Sequence, residues 1–446
     1  MFRGLRGALR RWLAVHGADV AWVVGLSIAG ALLVASTARM DSPLSVFDEG
    51  HHIDYVDSIS RGDLVTRGDA VGQVALRARA CRGLGSGPPL PTCDDRVVEP
   101  DSGEPEELQY LFQHPPTYYA VTAALVPVVQ ALGDVQDFVL AARLVGVLWL
   151  AAGLAAAWVV GRQLGAPRLA LGGILLLAIS TPAAQHAAAT VNNDVSALLA
   201  GAILVAVTLR WERARRGLGW LAVAGFAAGA LKSTNAFAAM ACGLFLLWAG
   251  VGRGAEEGSW WRRYDHRAAL AGVTLVASCV AAVVLWVVVI EATATLPFEA
   301  LPPQVSDIHD PTFDDHLPNV AAFVSPVRGS YVPAAIRTGL TLLFRRLLDL
   351  TLVGGVMAVA LLGAVARDRA LATTLLLTAV VGGVLLGFAE IVVIGRFIHI
   401  PPRYGLSLLP AFLALTALAW SRRGWAVGLA LAGIGAWAYD LALILT

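Results

Sequence analysis

Largely apolar runs of about 20 residues recur along the chain, near 19–38, 138–161, 169–189, 195–209, 218–233, 235–251, 268–290, 349–366, 370–394, 403–420 and 424–445. About 20 such residues wound as a helix cross a ~30 Å hydrocarbon core. The pattern predicts an all-α, polytopic membrane protein with about 11 crossings. One further run, "PTYYAVTAALVPVVQALG" (116–133), is ambiguous by length alone.

Charge resolves it. With 116–133 left out of the count, the Arg-rich segments "MFRGLRGALRR", "RWERARRG" and "SRRG" all fall on one side, together with Arg162, Arg168, Arg253, Arg262, Arg263, Arg367 and Arg369. Basic connections mark the cytoplasmic face. Counting 116–133 as a crossing would put "RWERARRG" and "SRRG" outside, so it is expected as a helix on, or dipping into, the outer surface. Twelve or 13 crossings are the alternatives. The first apolar run has no small-residue cleavage site at its end and reads as a retained helix with a cytoplasmic N-terminus. The expected location is the plasma membrane.

This topology leaves two large outer loops, about 40–137 and 291–348, the second ending in the amphipathic "AAIRTGLTLLFRRLL". Residues 94–107, "DDRVVEPDSGEPEE", are acidic and proline-containing. No period of 20–50 residues recurs. Residues 1–420 are expected to form one transmembrane module, with 421–446 as a terminal helix.

Composition agrees with a membrane protein: of 446 residues 57% are hydrophobic and 15% charged, and the mean hydropathy is +0.68. The net charge of +1 says nothing about nucleic acid, and no nucleic-acid partner is expected. Cys81 and Cys93 bracket "CRGLGSGPPLPTC", a reasonable disulfide loop if it faces an oxidising compartment. Cys242 and Cys279 lie in apolar runs as packing residues.

The polar residues near helix ends gather at one face. Asp48, Glu49, His51 and His52 follow the first crossing in "SVFDEGHHIDYV", and His114 opens "HPPTYY". Arg143 lies five residues past Phe138, about 7 Å below the outer end at ~1.5 Å per residue. Asn192, Asn193 and Asp194 ("ATVNNDVS") sit between the third and fourth crossings. Lys232, the only lysine, and Asn235 mark the break between the fifth and sixth, and Arg396, Arg403 and Tyr404 cluster near the tenth. Ionisable groups at such depth are costly and point to function. A carboxylate can deprotonate a hydroxyl, and Arg and Lys can hold a departing phosphate. The pattern suggests group transfer from a lipid phosphate to an acceptor on the outer side.

The ordered segments "FDEGHHIDYVDSISRGDL", "QHPPTYYAV", "AARLVGVLWLAAGLAAAWVVGRQLGAPRLA", "ATVNNDVSALLAG", "GALKSTNAFAAM" and "GRFIHIPPRYGLSLLPAF" resemble the GT-C fold glycosyltransferases. More narrowly they are similar to the bacterial phospholipid-carrier-dependent group related to protein O-mannosyltransferases and the lipid A aminoarabinose transferase. The resemblance implies a membrane enzyme that moves a sugar from a polyprenyl-phosphate-sugar donor to an extracytoplasmic acceptor of unknown identity. It implies that Asp48 is the base or acceptor-orienting carboxylate, with Glu49 its partner. Arg143, Lys232 and Arg396 or Arg403 would hold the donor phosphate. His52, His114, Asn193, Asp194 and Tyr404 would bind or support substrate. The Asp-Glu pair is compatible with a divalent cation and does not require one.

Plainer readings stand beside these. Asp48 and Glu49 could cap an exit from the bilayer, and Arg143 and Lys232 could snorkel to headgroups. Asn193 and Asp194 could cap a helix. His51 and His52 read as a solvated loop pair rather than a zinc site, since adjacent residues rarely point at one ion. A lipid-linked-sugar transporter or a non-catalytic envelope-assembly protein are the rival functions. Transport would need mid-membrane polar groups that the third, fourth, seventh and eighth crossings scarcely offer.

Overall fold

The computed structural model of the chain describes residues 2–40, 43–85, 108–252, 265–297, 318–320, 322–328, 339–394 and 400–445. Cys93, Arg396, the acidic stretch 94–107 and most of the second loop lie outside them. The described residues are helical, with two isolated β-bridges, Leu44–Leu84 and Ala70–Leu108. Every expected crossing is represented by a helix. They are α1 (Phe2–Met40), α5 (Phe138–Leu164), α6 (Arg168–Ile179) continued by α7 (Pro182–Ala189), α8 (Asp194–Ala214), α9 (Leu218–Leu231), α10 (Ala236–Gly252), α11 (His266–Thr293), α12 (Gly339–Leu362), α13 (Ala366–Ile394), α14 (Leu409–Ala419) and α15 (Arg423–Leu445). Between the first and second crossings lie α2 (Glu49–Ser60), α3 (Gln73–Arg82) and α4 (Thr117–Gly133).

Among the described residues eight helices are long and apolar enough to cross a membrane, or nine if α6 and α7 count as one span bent by 67°. Two expected crossings fall short of that test for visible reasons. α9 has only 14 residues, and α12 carries Arg345, Arg346 and Asp349 in its first half. α4 has 17 residues, about 25 Å at the usual rise, less than a hydrocarbon core.

Local sequence explains the helix boundaries that matter for the site. The Asp137 carboxylate caps α5 by accepting from Val139 and Leu140 N–H at 2.8 and 3.2 Å, and Gly165 ends it in the left-handed region. The α6–α7 break comes at Ser180-Thr181-Pro182. Thr181 caps α7 and Pro182 takes its first turn, where a missing N–H costs nothing.

Glycine lets backbones meet where helices must come close. A Cβ on Gly146 of α5 would stand 2.0 Å from the Ala188 carbonyl of α7. A Cβ on Gly201 of α8 would stand 1.8 Å from the Ser407 carbonyl, in the turn Pro402–Leu408. In the opposite sense, large apolar side chains such as Trp220, Leu361 and Leu431 point outward, as expected of a surface solvated by lipid. At the Arg-rich end, Asp19 of α1 pairs with Arg162 and Arg168 at 3.1 and 2.8 Å.

At the other end the first loop is tied down by its own polar groups. The Gln109 amide donates to the His51 carbonyl and the Asp54 carboxylate at 2.9 and 2.8 Å, and Gly72 N–H donates to the same carboxylate at 2.7 Å. Arg67 forks onto Glu291 at 2.7 and 2.9 Å, binding the loop to the end of α11. Cys81 is disulfide-bonded, while Cys242 and Cys279 are free and buried.

Candidate active site

Where α1 ends, Pro43 to Asp48 lead into α2, and this short segment meets α5 through Arg143, α7 through His186 and the turn Pro402–Leu408 through Arg403. Glu49 opens α2 and its side chain is only 1% exposed, as is that of Arg143 one turn into α5. The guanidinium forks onto the carboxylate, Nε to Oε1 and Nη2 to Oε2, both at 2.8 Å. Ser45 and Val191 N–H donate to the same carboxylate at 2.7 and 3.0 Å, and Arg143 Nη2 also reaches the Pro43 carbonyl at 2.7 Å. Burial pushes the Glu49 carboxyl up, and Arg143 with the two backbone donors outweighs it, leaving Glu49 below its ordinary value. Arg143 therefore closes an internal ion pair, and the two nitrogens named face Glu49 and Pro43.

Asp48 is different. It is the N-cap of α2 in the left-handed region at φ 64°, ψ 2°, a conformation rare for a residue other than glycine. Its side chain is 31% exposed, against 11% for Arg403 and 2% for both Lys232 and Asp194. The Tyr110 hydroxyl donates to Asp48 Oδ1, and Arg403 Nη2 approaches Oδ2 at 3.5 Å. Arg403 also lies 3.2 Å through Nε from Asp194 Oδ2, an ion-pair distance without the alignment of a hydrogen bond. Lys232 Nζ donates to the other oxygen of Asp194. Asp48, Arg403, Asp194 and Lys232 thus form one continuous chain of alternating charge, drawn from the first loop, the turn before α14, the start of α8 and the end of α9.

Aromatic rings line this chain. Phe47 and Tyr404 lie 5.2 and 5.7 Å from the Arg403 guanidinium carbon, and Tyr404 lies 5.0 Å from Lys232 Nζ. Such faces hold cations in place. Asn192 turns the chain into α8, its side-chain oxygen accepting from Asp194 N–H at 2.9 Å. Asn193 is buried beside it, its amide nitrogen without a hydrogen-bond partner among the described residues.

The histidines correct one expectation. His51 and His52 are buried rather than a solvated loop pair, because α2 packs against α3, α4 and Gln109 of the segment 108–114. His51 Nδ1–H donates to Gln109 at 3.2 Å. His52 Nδ1 shares a hydrogen bond with the Tyr119 hydroxyl at 2.9 Å, and its ring stacks on His114 at 6.2 Å between centroids. His114 Nδ1 is buried with no hydrogen-bond partner among the described residues, while its carbonyl accepts from Tyr55 at 3.0 Å. Burial and the positive charge of Lys232 push His114 down to about 3. Burial and neighbouring His114 push His52 well below its ordinary value. Both rings are neutral donor–acceptor groups at neutral pH.

No trio of His, Cys, Asp or Glu spaced to hold a metal occurs among the described residues. Of the residues singled out from sequence, Asp48, Glu49, Arg143, Asp194, Lys232, Arg403 and Tyr404 lie in one contiguous cluster, with His52 and His114 stacked nearby; Arg396 lies outside the described residues. Four contributors escaped sequence reading: Ser45, Tyr110, Gln109 and His186. His186 Nε2 lies 2.8 Å from the Ser45 hydroxyl. Its signal was the capping motif Thr181-Pro182, which interrupts an otherwise apolar run.

No protein-family model and no curated protein matches the sequence. Among solved structures, the chain is similar to ArnT from Cupriavidus metallidurans in the apo state, at 20% identity and a TM-score of 0.51 over 94% of this chain. ArnT from the same organism bound to undecaprenyl phosphate matches at 16% identity and a TM-score of 0.49, also over 94%. The chain spans 63% of the length of either ArnT chain. At such identity the likeness is one of fold. The chain is a multi-pass membrane protein with the GT-C fold, the fold of ArnT.

Proposed function

We propose that the chain is a membrane glycosyltransferase that moves a sugar from a polyprenyl-phosphate-sugar donor to a hydroxyl or amine of an extracytoplasmic acceptor. In this reading the N-terminus is cytoplasmic, the membrane is the plasma membrane, and the active site opens on its outer face. The observation that carries the reading is the pairing of Asp48, the most exposed carboxylate of the cluster, with Arg403 and through Asp194 with Lys232. A general base and two cations for a phosphate lie within one another's reach.

Asp48 accepts the proton of the acceptor hydroxyl or amine as its lone pair attacks the anomeric carbon. The bond from that carbon to the phosphate oxygen breaks, and its electrons leave on polyprenyl phosphate. The phosphodiester of the donor carries one negative charge and the departing phosphate gains another. Arg403 and Lys232 therefore bind the transition state more strongly than the donor, which is the differential needed for catalysis. Phosphate is a good enough leaving group that no strong general acid is required. Direct displacement inverts the anomeric carbon. Asp194 keeps the two cations charged and spaced while the site is empty. Glu49 and Arg143 hold the segment that carries Asp48, and Arg396 is a further candidate phosphate ligand.

The test is heat stability of the purified protein with a panel of polyprenyl-phosphate sugars, since a ligand that binds only the folded state raises the melting temperature. At least one donor is expected to stabilise the wild type and to lose most of that effect with Arg403→Ala. A panel without effect on the wild type would count against the proposal.

A further inference from the structure

α7 (Pro182–Ala189) is the short arm of a bent helix, and it carries two buried polar side chains that the transfer chemistry above does not use. The Gln185 amide donates to Asp440 Oδ2 of α15 at 3.1 Å, and Gln185 Oε1 accepts from the Thr37 hydroxyl of α1 at 3.3 Å. Thr341 of α12 donates to the other oxygen of Asp440 at 3.2 Å. Two helices, α1 and α15, thus hold α7 through Gln185, α12 steadies Asp440 from its other side, and the next residue of α7 is His186.

His186 Nε2 meets the Ser45 hydroxyl at 2.8 Å, and Phe47 packs edge-on against the imidazole at 6.0 Å between centroids. Ser45 Oγ already accepts from Phe47 N–H at 3.1 Å, so its own proton is available to a neutral Nε2. The Ser45 N–H in turn donates to Glu49 at 2.7 Å. Asp48 is therefore gripped on both sides. Downstream, Glu49 is locked by Arg143 and Val191; upstream, Ser45 and Phe47 hang on His186. Between the two grips the backbone of Asp48 holds its left-handed turn, which presents the carboxylate to Tyr110 and Arg403. A strained backbone persists only where its surroundings over-determine it, and it is often found at sites of function.

We propose that His186 is a positioning residue: acting through Ser45, it holds Asp48 in the backbone conformation that aims its carboxylate at the acceptor. The proposal rests on the transfer reading for its catalytic consequence, while the conformational consequence stands by itself. His186 touches no reacting atom in this account.

The experiment uses the full chain in membranes or detergent, with His186→Phe removing the hydrogen bond, His186→Gln restoring a polar atom near Nε2, and Ser45→Ala removing the hydroxyl. Misplacement of a reacting group by about 1 Å can cost roughly 100-fold in rate. His186→Phe and Ser45→Ala are accordingly expected to lower kcat by about 30- to 100-fold, with donor KM within about 3-fold of wild type and His186→Gln recovering most of the loss. A kcat within about 2-fold of wild type, or a raised KM at unchanged kcat, overturns the positioning role. Amide hydrogen exchange without any substrate supplies the second arm. Faster exchange at residues 45–49 in both variants, with α5 unchanged, is expected; unchanged exchange at 45–49 overturns the proposal, as does general loosening that includes α5. If the wild type transfers no sugar while the exchange result holds, the transfer reading fails and the grip on Asp48 stands.

Discussion

Glu49 and Arg143, 94 residues apart in the chain, form a two-bonded ion pair with both bonds at 2.8 Å and both side chains 1% exposed. The fork joins the first loop to the second crossing. A phosphate approaching Arg143 would have to compete with Glu49 for Nε and Nη2.

Breaking such a pair from one side strands a buried charge and costs about 3–5 kcal/mol, whereas removing both partners can be nearly neutral. Arg143→Leu is expected to lower the melting temperature sharply, and Glu49→Leu in the same chain to restore part of it. Thermal unfolding in detergent checks this. A melting temperature close to wild type in Arg143→Leu, with only donor affinity reduced, would return Arg143 to the phosphate.

Acid should weaken the fold through the stacked histidines. His52 and His114 are held below the ordinary value near 6.5, His114 at about 3, so between those values the unfolded chain binds more protons than the folded one. Their contribution to stability is present above about pH 6.5 and lost as pH falls toward 3. The melting temperature of the wild type is expected to drop between pH 6.5 and pH 4, and a His52→Gln, His114→Gln double variant to show a shallower drop. An unchanged slope would contradict the assignment. For the same reason these histidines contribute no limb to the activity profile between pH 6 and pH 8.

Two glycines give a paired test of how the cation-bearing turn is held. Gly201→Ala places a methyl 1.8 Å from the Ser407 carbonyl, so α8 must move from the turn Pro402–Leu408 that carries Arg403. Overpacking of this kind costs about 1–3 kcal/mol. Gly428 of α15 has nothing within 4 Å of an added Cβ, and Gly428→Ala is expected to be neutral or to stabilise by about 0.5–1 kcal/mol. Melting temperatures of the two variants in parallel decide it. Donor-induced stabilisation should be reduced in Gly201→Ala alone.

The crossings were legible because lipid demands length and low charge, and each of the 11 expected runs is helical. The charged residues of the site were legible for the related reason that Asp48, Glu49, Asp194, Lys232 and Arg403 are conspicuous in apolar surroundings. Their pairing was not. Nothing in "AARLVGVL" says that Arg143 meets Glu49, because that contact depends on how α2 lies over α5. His186 was hidden in "PAAQHAAAT", part of a run that reads as one crossing, and only the bend at Thr181-Pro182 brings it to Ser45. Tyr110 and Gln109 belong to a loop whose apolar pattern is too weak to place them. His51 and His52 read as solvated because burial by α4 and by the segment 108–114 is a tertiary fact.

Transfer of labelled sugar from a polyprenyl-phosphate donor by membranes carrying Asp48→Asn decides whether Asp48 is the base. The substitution keeps the shape and the Tyr110 contact and removes the base. Loss of a general base costs roughly 100- to 10,000-fold, so kcat is expected to fall at least about 100-fold, with donor-induced heat stabilisation retained. Transfer at near the wild-type rate would contradict that role.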